Sequence, residues 1–334
     1  MVDNYAQLSS SWSYLEELTA GKGSSESAWS YGIFLKLDAG YGRAGVHFSE
    51  NGALLEMIRL ARDLQGSGIA KFRGIYTHAG DSYAGQTAES ALWSMTTELC
   101  QGLDAIHLDT EGKDSGEEII LSVGASPTAL TLGNLVGPLE EELANNSAFA
   151  YLQRLIKQAK DLGRVTLEVH AGVYTLLDLQ QIATHALVGA RSLGLADIAF
   201  TVIAEVASTY VRRSEALVNV GTIGIGREPG QKDAIDNGWG LLSDWTLFNE
   251  ESRIAAPLGD GGWLLRKVSQ EHGILAFKKG CDCRLSLEIG NKVRIFPQHA
   301  CIAGSGHGWY YVVDSDQPDG GNTVHDIWVR CRGW

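Results

Sequence analysis

The stretch that decides the fold is GIFLKLDAGYGRAGVHFSENGALLEMIRLARDLQG, residues 32–66, with FRGIYTH, residues 72–78, after it. Residues 32–38 and 72–78 are apolar runs of strand length. Between them, residues 51–66 repeat apolar side chains at helical spacing and end on a glycine. The order strand, helix, strand predicts two parallel strands joined by a crossover helix.

The same alternation continues over about the first 210 residues. The further strand-like runs are EEIILSVG from Glu117, VTLEVH from Val165 and ADIAFTVIAEV from Ala196. The further helical patterns are ESALWSMTTELCQGL and FAYLQRLIKQAKDLG. We therefore predict an α/β domain of parallel strands and crossover helices over residues 1–210.

The pattern changes beyond residue 210. Short apolar segments are separated by Gly, Asp and Pro, as in ALVNVGTIGIG, GGWLLRKVSQEHGILAF, CRLSLEIGNKVRIFP, GWYYVVD and HDIWVRCRGW. Segments of this kind are typical of antiparallel strands. A second, mostly β domain is therefore predicted over residues 211–334.

Composition limits the class of protein. The chain has 334 residues, 44% hydrophobic and 20% charged, which predicts a soluble globular protein with a substantial core. Its 27 Lys+Arg and 40 Asp+Glu give a net charge of −13, which argues against nucleic acid and membrane surfaces as partners and leaves a small molecule. No signal peptide or long apolar run is visible, so a cytoplasmic location is expected.

Five scattered cysteines argue against a disulfide framework. Cys281 and Cys283 could form a soft-metal or redox pair, although two thiols beside a strand is the favoured interpretation. His299 and Cys301, in PQHACIAGSGHGWYYVVD, are separated by one residue. In a strand such residues share a face, so an imidazole and a thiolate could bind one zinc ion, whereas a chance pair is the alternative.

Polar residues follow the predicted strands, where parallel α/β folds collect their chemistry. Tyr76 and Tyr83 bracket the THAGDS turn, and their phenols can hydrogen-bond or stack on a heteroaromatic ring. For Tyr76 a place in the strand core is equally consistent with the sequence. Arg43 can bind a carboxylate bidentately, and a solvated surface arginine is the alternative.

Neutral hydrogen-bond donors precede two further helical stretches. These are Ser126 and Thr128 in SVGASPT, and the backbone N–H groups around Gly172 and Val173 in HAGVY. Such donors can hold a phosphate without adding net positive charge. A glycine-rich turn without a ligand is the simpler interpretation of each loop alone.

The ordered set KLDAGYGRAGV, GIYTHAGDSY, SVGASPT, EVHAGVYTLLDLQQ, PQHAC and RCRGW resembles the eukaryotic-type, zinc-dependent D-serine dehydratases. These belong with D-threonine aldolases and alanine racemases among the fold type III pyridoxal phosphate enzymes. The resemblance covers nearly the whole chain. It implies a partial (β/α)8 TIM-type barrel, alanine racemase-like, that binds pyridoxal phosphate, followed by an antiparallel C-terminal β domain with a zinc site.

The resemblance also implies roles for individual residues. Cofactor contacts are expected from Tyr76, Tyr83, Ser126, Thr128, Gly172 and Val173, substrate contacts from Arg43 and His170, and zinc ligation from His299 and Cys301. The implied reaction is β-elimination of D-serine to pyruvate and ammonia in a homodimer. A D-threonine aldolase is the nearest alternative, and Cys301 argues against it because that group has an Asp at this position. A non-catalytic remnant that binds zinc or a partner chain is the alternative of another class.

In the family the Schiff-base lysine lies on an early barrel strand. The start MVDN resembles the end of a middle strand, so we expect this lysine to be absent, the chain to be N-terminally truncated and its activity to be impaired. Lys36 and Lys71 do not occupy the matching position. Neither is expected to be the catalytic lysine.

Overall fold

The computed structural model of the chain describes residues 1–20, 31–230, 238–243, 260–277, 286–314, 316–318, 321 and 323–331. The chain forms two compact units, Met1–Ala171 with Thr184–Arg191, and Gly172–Ala183 with Ser192–Trp334. The predicted domain limit near residue 210 falls inside the second unit, and as a limit between functional domains it stays a prediction. Cys281 and Cys283 lie outside the described residues.

The first unit contains a five-stranded parallel sheet in the order β2–β1–β3–β4–β5. Its strands are β1 (Tyr31–Asp38), β2 (Val46–His47), β3 (Ala70–Tyr76), β4 (Ile119–Val123) and β5 (Val165–Val169). Leu35 pairs with Ile75, Ile75 with Leu121, and Leu121 with Leu167, so one row of apolar side chains crosses four strands. The four predicted strands of this region are confirmed.

The described helices of the first unit are α1 (Tyr5–Ala20), α2 (Asn51–Gly66), α3 (Ala88–His107), α4 (Thr110–Ser115), α5 (Ser126–Thr131) and α6 (Ser147–Asp161). The four long ones, α1, α2, α3 and α6, form one apolar core with the sheet. Helix α2 coincides with the predicted segment. The α6 start is fixed by Asn146, whose side chain accepts the N–H of Phe149 at 3.0 Å.

The second unit is built around a closed antiparallel barrel in the order β10–β7–β6–β11–β8–β9, with a separate two-stranded sheet β12–β13. The strands are β6 (Val202–Tyr210), β7 (Glu215–Val218), β8 (Gly240–Ser243), β9 (Asp260–Val268), β10 (Gly273–Phe277), β11 (Lys292–Pro297), β12 (Trp309–Val313) and β13 (Val324–Val329). The helices that the structure describes in this unit are α7 (Leu179–Ala183), α8 (Thr222–Ile225) and α9 (Ala300–Ser305). The prediction of a mostly antiparallel second region is confirmed.

One predicted strand belongs to a different sheet. ADIAFTVIAEV was expected to be a further parallel strand, but β6 pairs antiparallel with β7 and β11. A parallel crossover needs a dozen or more residues and is usually a helix. Between β5 and β6 the only α-helix is α7, which has 5 residues, so this connection contains no crossover helix of the usual length.

None of the helices that the structure describes combines the length and the apolar composition needed to cross a membrane.

A buried ion-pair network joins α2 to the turn after α3. Arg62 donates to both carboxylate oxygens of Asp109, at 2.9 and 2.6 Å, and Arg164 donates to the same carboxylate at 3.1 Å. The side chains of Arg62, Asp109 and Arg164 are 6%, 1% and 9% exposed. Burial by itself would raise the pKa of Asp109, but the two guanidinium groups outweigh it and the pKa is lowered.

We expect Asp109→Asn to lower the free energy of unfolding by about 3–5 kcal/mol, because two buried guanidinium groups would lose their carboxylate. Urea unfolding at pH 7 measures this. Since folding lowers the pKa of Asp109, its contribution is present above the unfolded pKa of about 4 and is lost as the pH falls further. The control is Asp161→Asn, which breaks an exposed pair with Lys157 and should cost only about 0.3–0.5 kcal/mol. Equal losses in the two variants would contradict the network's role.

Candidate functional site

The carboxyl ends of four parallel strands bring five polar side chains together in the first unit. The rings of Tyr76 and His170 stack with centroids 4.2 Å apart, and Lys36 Nζ lies 5.6 Å from the Tyr76 centroid. Ser122 Oγ donates to Glu168 Oε1 at 2.7 Å and lies 3.0 Å from His170 Nδ1. We call Lys36, Tyr76, Ser122, Glu168 and His170 the strand-end cluster.

His170 presents an unused acceptor in this cluster. Burial, together with the nearby His78, lowers the pKa of His170 to about 4, so its ring is neutral at pH 7. Because the Ser122 hydroxyl gives its one hydrogen to Glu168, its oxygen is left to accept from His170 Nδ1 in the tautomer that carries the ring hydrogen there. His170 Nε2 is buried and has no hydrogen-bond partner in the described part of the chain. A donor on a bound ligand can satisfy it.

Two cations lie at the end of β1. Burial lowers the pKa of Lys36, while the neighbouring Asp38 acts in the opposite direction. Asp38 accepts the N–H groups of Gly40 and Gly42, at 3.0 and 2.9 Å, and so fixes the loop that follows. Arg43, in that loop, is exposed, with its guanidinium 5.6 Å from the Tyr41 ring centroid. Its expected contact with a substrate carboxylate stays a prediction.

A buried carboxylate holds the loops after β3 and β4 together. Glu98, on α3, is fully buried; its Oε1 accepts the N–H groups of Ala79 and Gly124 at 2.8 and 3.2 Å. Its Oε2 accepts the Thr128 hydroxyl at 3.0 Å. Burial raises the pKa of Glu98 to about 7, although these hydrogen bonds act to lower it. Glu98 was not among the residues predicted from the sequence, although an acidic residue three positions after Met95, on the apolar face of a predicted helix, is a visible signal.

The structure changes what can be expected of Thr128. Its hydroxyl accepts the N–H of Ala125 at 2.7 Å and donates to Glu98, so it already serves the turn at the start of α5. A phosphate contact through this hydroxyl would have to replace one of these bonds. Ser126 is fully buried in the first turn of the same helix, and Tyr83 is half-buried in a short helical turn after β3. Their cofactor roles stay predictions.

The loop that carries Tyr83 also contains polar atoms that need a partner. Thr77 Oγ1 and Ser82 Oγ are buried and have no hydrogen-bond partner among the residues described. Unpaired buried polar groups are costly, and each calls for an explanation such as a ligand or an ordered water. Together with His170 Nε2 they fit a ligand bound at this edge of the sheet.

In the second unit, His299 and Cys301 do not lie in a strand. Strand β11 ends at Pro297, His299 has extended backbone, and α9 starts at Ala300. The strand argument for a shared face is therefore wrong. The helix begins here because the His299 carbonyl accepts the N–H of Ala303 at 3.0 Å.

Gly172 and Cys301 are neighbours in space. A Cβ atom built on Gly172 would lie 3.7 Å from the Cys301 Sγ. The adjacent Val173 is buried, at 1% exposure. The residues expected to form a phosphate turn thus share the second unit with the expected zinc ligands, while Tyr76, Tyr83, Ser126, Thr128, His170 and Arg43 belong to the first unit.

The His299 and Cys301 pair has the donor chemistry that zinc prefers. Within the described ranges no group of three or more His, Cys, Asp or Glu side chains is arranged to hold a metal ion. Two protein ligands would leave coordination positions for substrate and water, as catalytic zinc sites require. That the pair binds metal stays a prediction.

The chain is similar to known dehydratases of amino acids. The sequence profile described as "Putative serine dehydratase domain" matches residues 199–313. A D-serine dehydratase from Schizosaccharomyces pombe (strain 972 / ATCC 24843) is 30% identical over 342 residues, which cover 100% of this chain and 67% of that protein. The D-serine dehydratase of Saccharomyces cerevisiae (strain ATCC 204508 / S288c) is 29% identical over 340 residues, 100% of this chain and 70% of the other.

Solved structures show the same fold. D-threo-3-hydroxyaspartate dehydratase from Delftia sp. HT23 has a TM-score of 0.66 at 25% identity, covering 100% of this chain and 72% of its own. Two variants of D-threo-3-hydroxyaspartate dehydratase have the same fold. One is a metal-free form in which a cysteine is changed to alanine. In the other, the histidine two residues before that cysteine is changed to alanine. An alanine racemase-like protein from Idiomarina loihiensis has a TM-score of 0.64 at 23% identity. The match covers 100% of this chain and 71% of that protein. The predicted alanine racemase-like fold is confirmed.

Glu98→Gln should change how stability depends on pH. Glutamine keeps an oxygen for Ala79 and Gly124 and can donate to Thr128. In the wild type, the pKa of Glu98 rises from 4.5 to about 7 on folding, so stability is lost as the pH rises between these values, by roughly 3 kcal/mol. We therefore expect the free energy of unfolding of Glu98→Gln to increase relative to that of the wild type as the pH rises from 5 to 8. Urea unfolding at several pH values measures this difference.

The matched control is Glu89→Gln, in the exposed first turn of the same helix. Its pH profile should run parallel to that of the wild type. A parallel profile for Glu98→Gln would show that burial does not disfavour the Glu98 carboxylate.

Proposed function

The chain belongs to the D-serine dehydratase family, and on that premise we propose that it is a lyase that converts D-serine to pyruvate and ammonia with pyridoxal phosphate and zinc. The observation that carries the proposal is the strand-end cluster, in a chain 30% identical to a D-serine dehydratase along its whole length. The cluster combines an aromatic face, a neutral imidazole and a lysine at one sheet edge.

The first unit has groups that suit pyridoxal phosphate. Tyr76 offers a ring face for stacking, and His170 Nε2, Thr77 Oγ1 and Ser82 Oγ are buried polar atoms that a ligand can satisfy. When bound, pyridoxal phosphate supplies an electron sink for the pair left at the substrate α-carbon. Further contacts are proposed from Tyr83, Ser126, Thr128, Gly172 and Val173.

The chain's own residues would bind the substrate and move protons. Arg43 is proposed to bind the substrate carboxylate through its fork of N–H donors. Lys36, whose pKa is lowered by burial, lies beside the Tyr76 ring and is not proposed as the Schiff-base lysine. His170 Nε2 is proposed to accept a hydrogen bond from the bound ligand, and it can do so without a change of charge because the lowered pKa keeps the ring neutral at pH 7.

Zinc is proposed to be held by His299 and Cys301. When bound, it supplies a Lewis acid for the β-hydroxyl, which is otherwise a poor leaving group. Support comes from D-threo-3-hydroxyaspartate dehydratase, which is known as a metal-free cysteine-to-alanine variant and, in a separate structure, as a variant of the histidine two residues before that cysteine. The same residue types stand at the same spacing here.

Two other functions are distinguished by their products. A D-threonine aldolase cleaves a carbon–carbon bond, and Cys301 argues against it. A non-catalytic remnant would bind zinc or a partner chain without turning over an amino acid. D-threonine separates these cases because elimination gives 2-oxobutanoate and ammonia, aldol cleavage gives glycine and acetaldehyde, and a remnant gives neither.

We expect the purified chain, supplied with pyridoxal phosphate and zinc, to bind both and to release pyruvate and ammonia in equal amounts from D-serine but not L-serine. Pyruvate is measured with lactate dehydrogenase, and cofactor binding by dialysis and absorbance. Tyr76→Ala should weaken binding of pyridoxal phosphate, with exposed Tyr14→Ala as control. Glycine and acetaldehyde from D-threonine would establish the aldolase, and a chain that binds no pyridoxal phosphate would be the remnant.

A homodimer is the proposed assembly, and one face of the β12–β13 sheet supports it. Trp309 pairs with Val329, and Tyr311 with Ile327, so the four side chains share a face. They are 54%, 76%, 58% and 54% exposed, in that order. Contiguous exposed apolar surface of this kind marks an interaction site.

Sedimentation velocity should give the mass of a dimer for the wild type and of a monomer for Ile327→Asp, because a charge at the centre of the face disfavours its burial. Glu271→Gln, in the exposed turn after β9, is the control and should remain dimeric. A wild-type monomer would contradict the proposal.

A further inference from the structure

We infer that Asp178 is a positioning residue that sets the geometry of His299 and Cys301, an inference that rests on the zinc site proposed above. Asp178 lies immediately before α7 and is fully buried. Its Oδ2 accepts the N–H of Ala300 at 2.9 Å. Ala300 stands between the two proposed ligands, so this one hydrogen bond holds the backbone from which both side chains extend.

The Ala300 N–H depends on this carboxylate. It belongs to the first turn of α9, where backbone N–H groups have no acceptor within the helix. Ala300 is fully buried, so water cannot replace the missing acceptor. A negative charge is also favourable at this end of a helix.

The same carboxylate is fixed from the other side. Asp178 Oδ1 accepts the N–H of Gln181 at 3.0 Å, which caps the start of α7. A second bond runs parallel to the Ala300 bond, because Gln180 donates its N–H to the Gln298 carbonyl at 3.2 Å. Residues 298–301, which carry the two proposed zinc ligands and are called the ligand segment below, are therefore hydrogen-bonded to the start of α7 at two points.

The chain before Asp178 leads directly to Gly172. The Val173 carbonyl accepts the N–H groups of Leu176 and Leu177 at 3.0 and 2.8 Å. Leu177 has a φ of 54°, in the left-handed region that side chains disfavour, so the surrounding bonds hold this turn in place. Through Asp178 the turn is tied to Ala300, which agrees with the close approach of Gly172 to Cys301.

The test compares zinc affinities of the full chain and of Asp178→Asn. Asparagine keeps an oxygen to cap Gln181, but its amide group has no second oxygen for the Ala300 N–H. We expect the dissociation constant for Zn²⁺, measured by competition with a chromophoric chelator, to rise about 10–100-fold. The thiolate-to-metal absorption of the Co²⁺-loaded chain should shift or weaken, because it reports the geometry of the Cys301 ligand.

Controls separate positioning from general stability. Asp197→Asn alters another aspartate of the second unit that accepts a backbone N–H, from Gly194 at 2.7 Å, and it should bind zinc like the wild type. Thermal unfolding of each variant is recorded without metal. If Asp178→Asn does not fold, Asp178→Ser is measured instead, since serine also caps a helix but is too short to reach both N–H groups.

Two results would overturn the inference in different ways. Unchanged zinc affinity and an unchanged Co²⁺ spectrum in the Asp178 variant would show that Asp178 only stabilises the fold. Zinc binding that survives in both His299→Ala and Cys301→Ala, or that is absent from the wild type, would instead overturn the proposed zinc site itself.

Discussion

The burial of one carboxylate, that of Glu98, is the constraint on which the strand-end cluster depends. Parallel strands end at the same edge, and each loop that follows turns backbone N–H groups away from the ladder. Ala79 and Gly124 are buried, so their N–H groups cannot be left to water. Glu98 reaches both from α3 and thereby fixes the loops next to Tyr76 and Ser122. The raised pKa of Glu98 is the energetic cost of this arrangement.

Three buried carboxylates show that the hydrogen-bond donor decides whether burial raises or lowers the pKa of the acid. Asp109 faces two guanidinium groups, and its pKa is lowered although it is buried. Glu98 and Asp178 accept hydrogen bonds mainly from neutral backbone donors, and burial raises the pKa of both. Charge pairing thus marks the structural network, whereas backbone anchoring marks the loops that carry candidate functional residues. Asp178 does for the ligand segment of the second unit what Glu98 does for the strand ends of the first.

Local periodicity was enough to predict much of the fold. Helix α2 coincides with its predicted segment because its apolar spacing and its glycine stop act within one stretch of chain. The clustering of Tyr76 with His170 also follows from the order of parallel strands. The sheet to which β6 belongs could not be read locally, because an apolar run has the same appearance in a parallel or an antiparallel pair.

The anchoring roles of Glu98 and Asp178 could not be predicted from the sequence for a related reason. Glu98 and Asp178 appear in the pattern only as acidic residues in apolar surroundings, which predicts burial but not the partner. Asp178 and Ala300 are 122 residues apart, and no spacing rule connects them. Because the start of α9 depends on that contact, the conformation of the His299 and Cys301 pair could not be predicted from the sequence either.

Two groups at this edge of the first unit's sheet, Glu98 and His170, respond to pH differently. The pKa of His170, about 4, keeps its Nε2 an acceptor throughout the range in which most enzymes work. Glu98, with a pKa of about 7, changes charge within that range while holding the loops on either side of the cluster. Lys36 lies close enough for its charge to act on both groups. Of these two groups, only Glu98 changes charge near pH 7, so the change of charge in that range occurs at the anchor of the loops and not at the His170 imidazole.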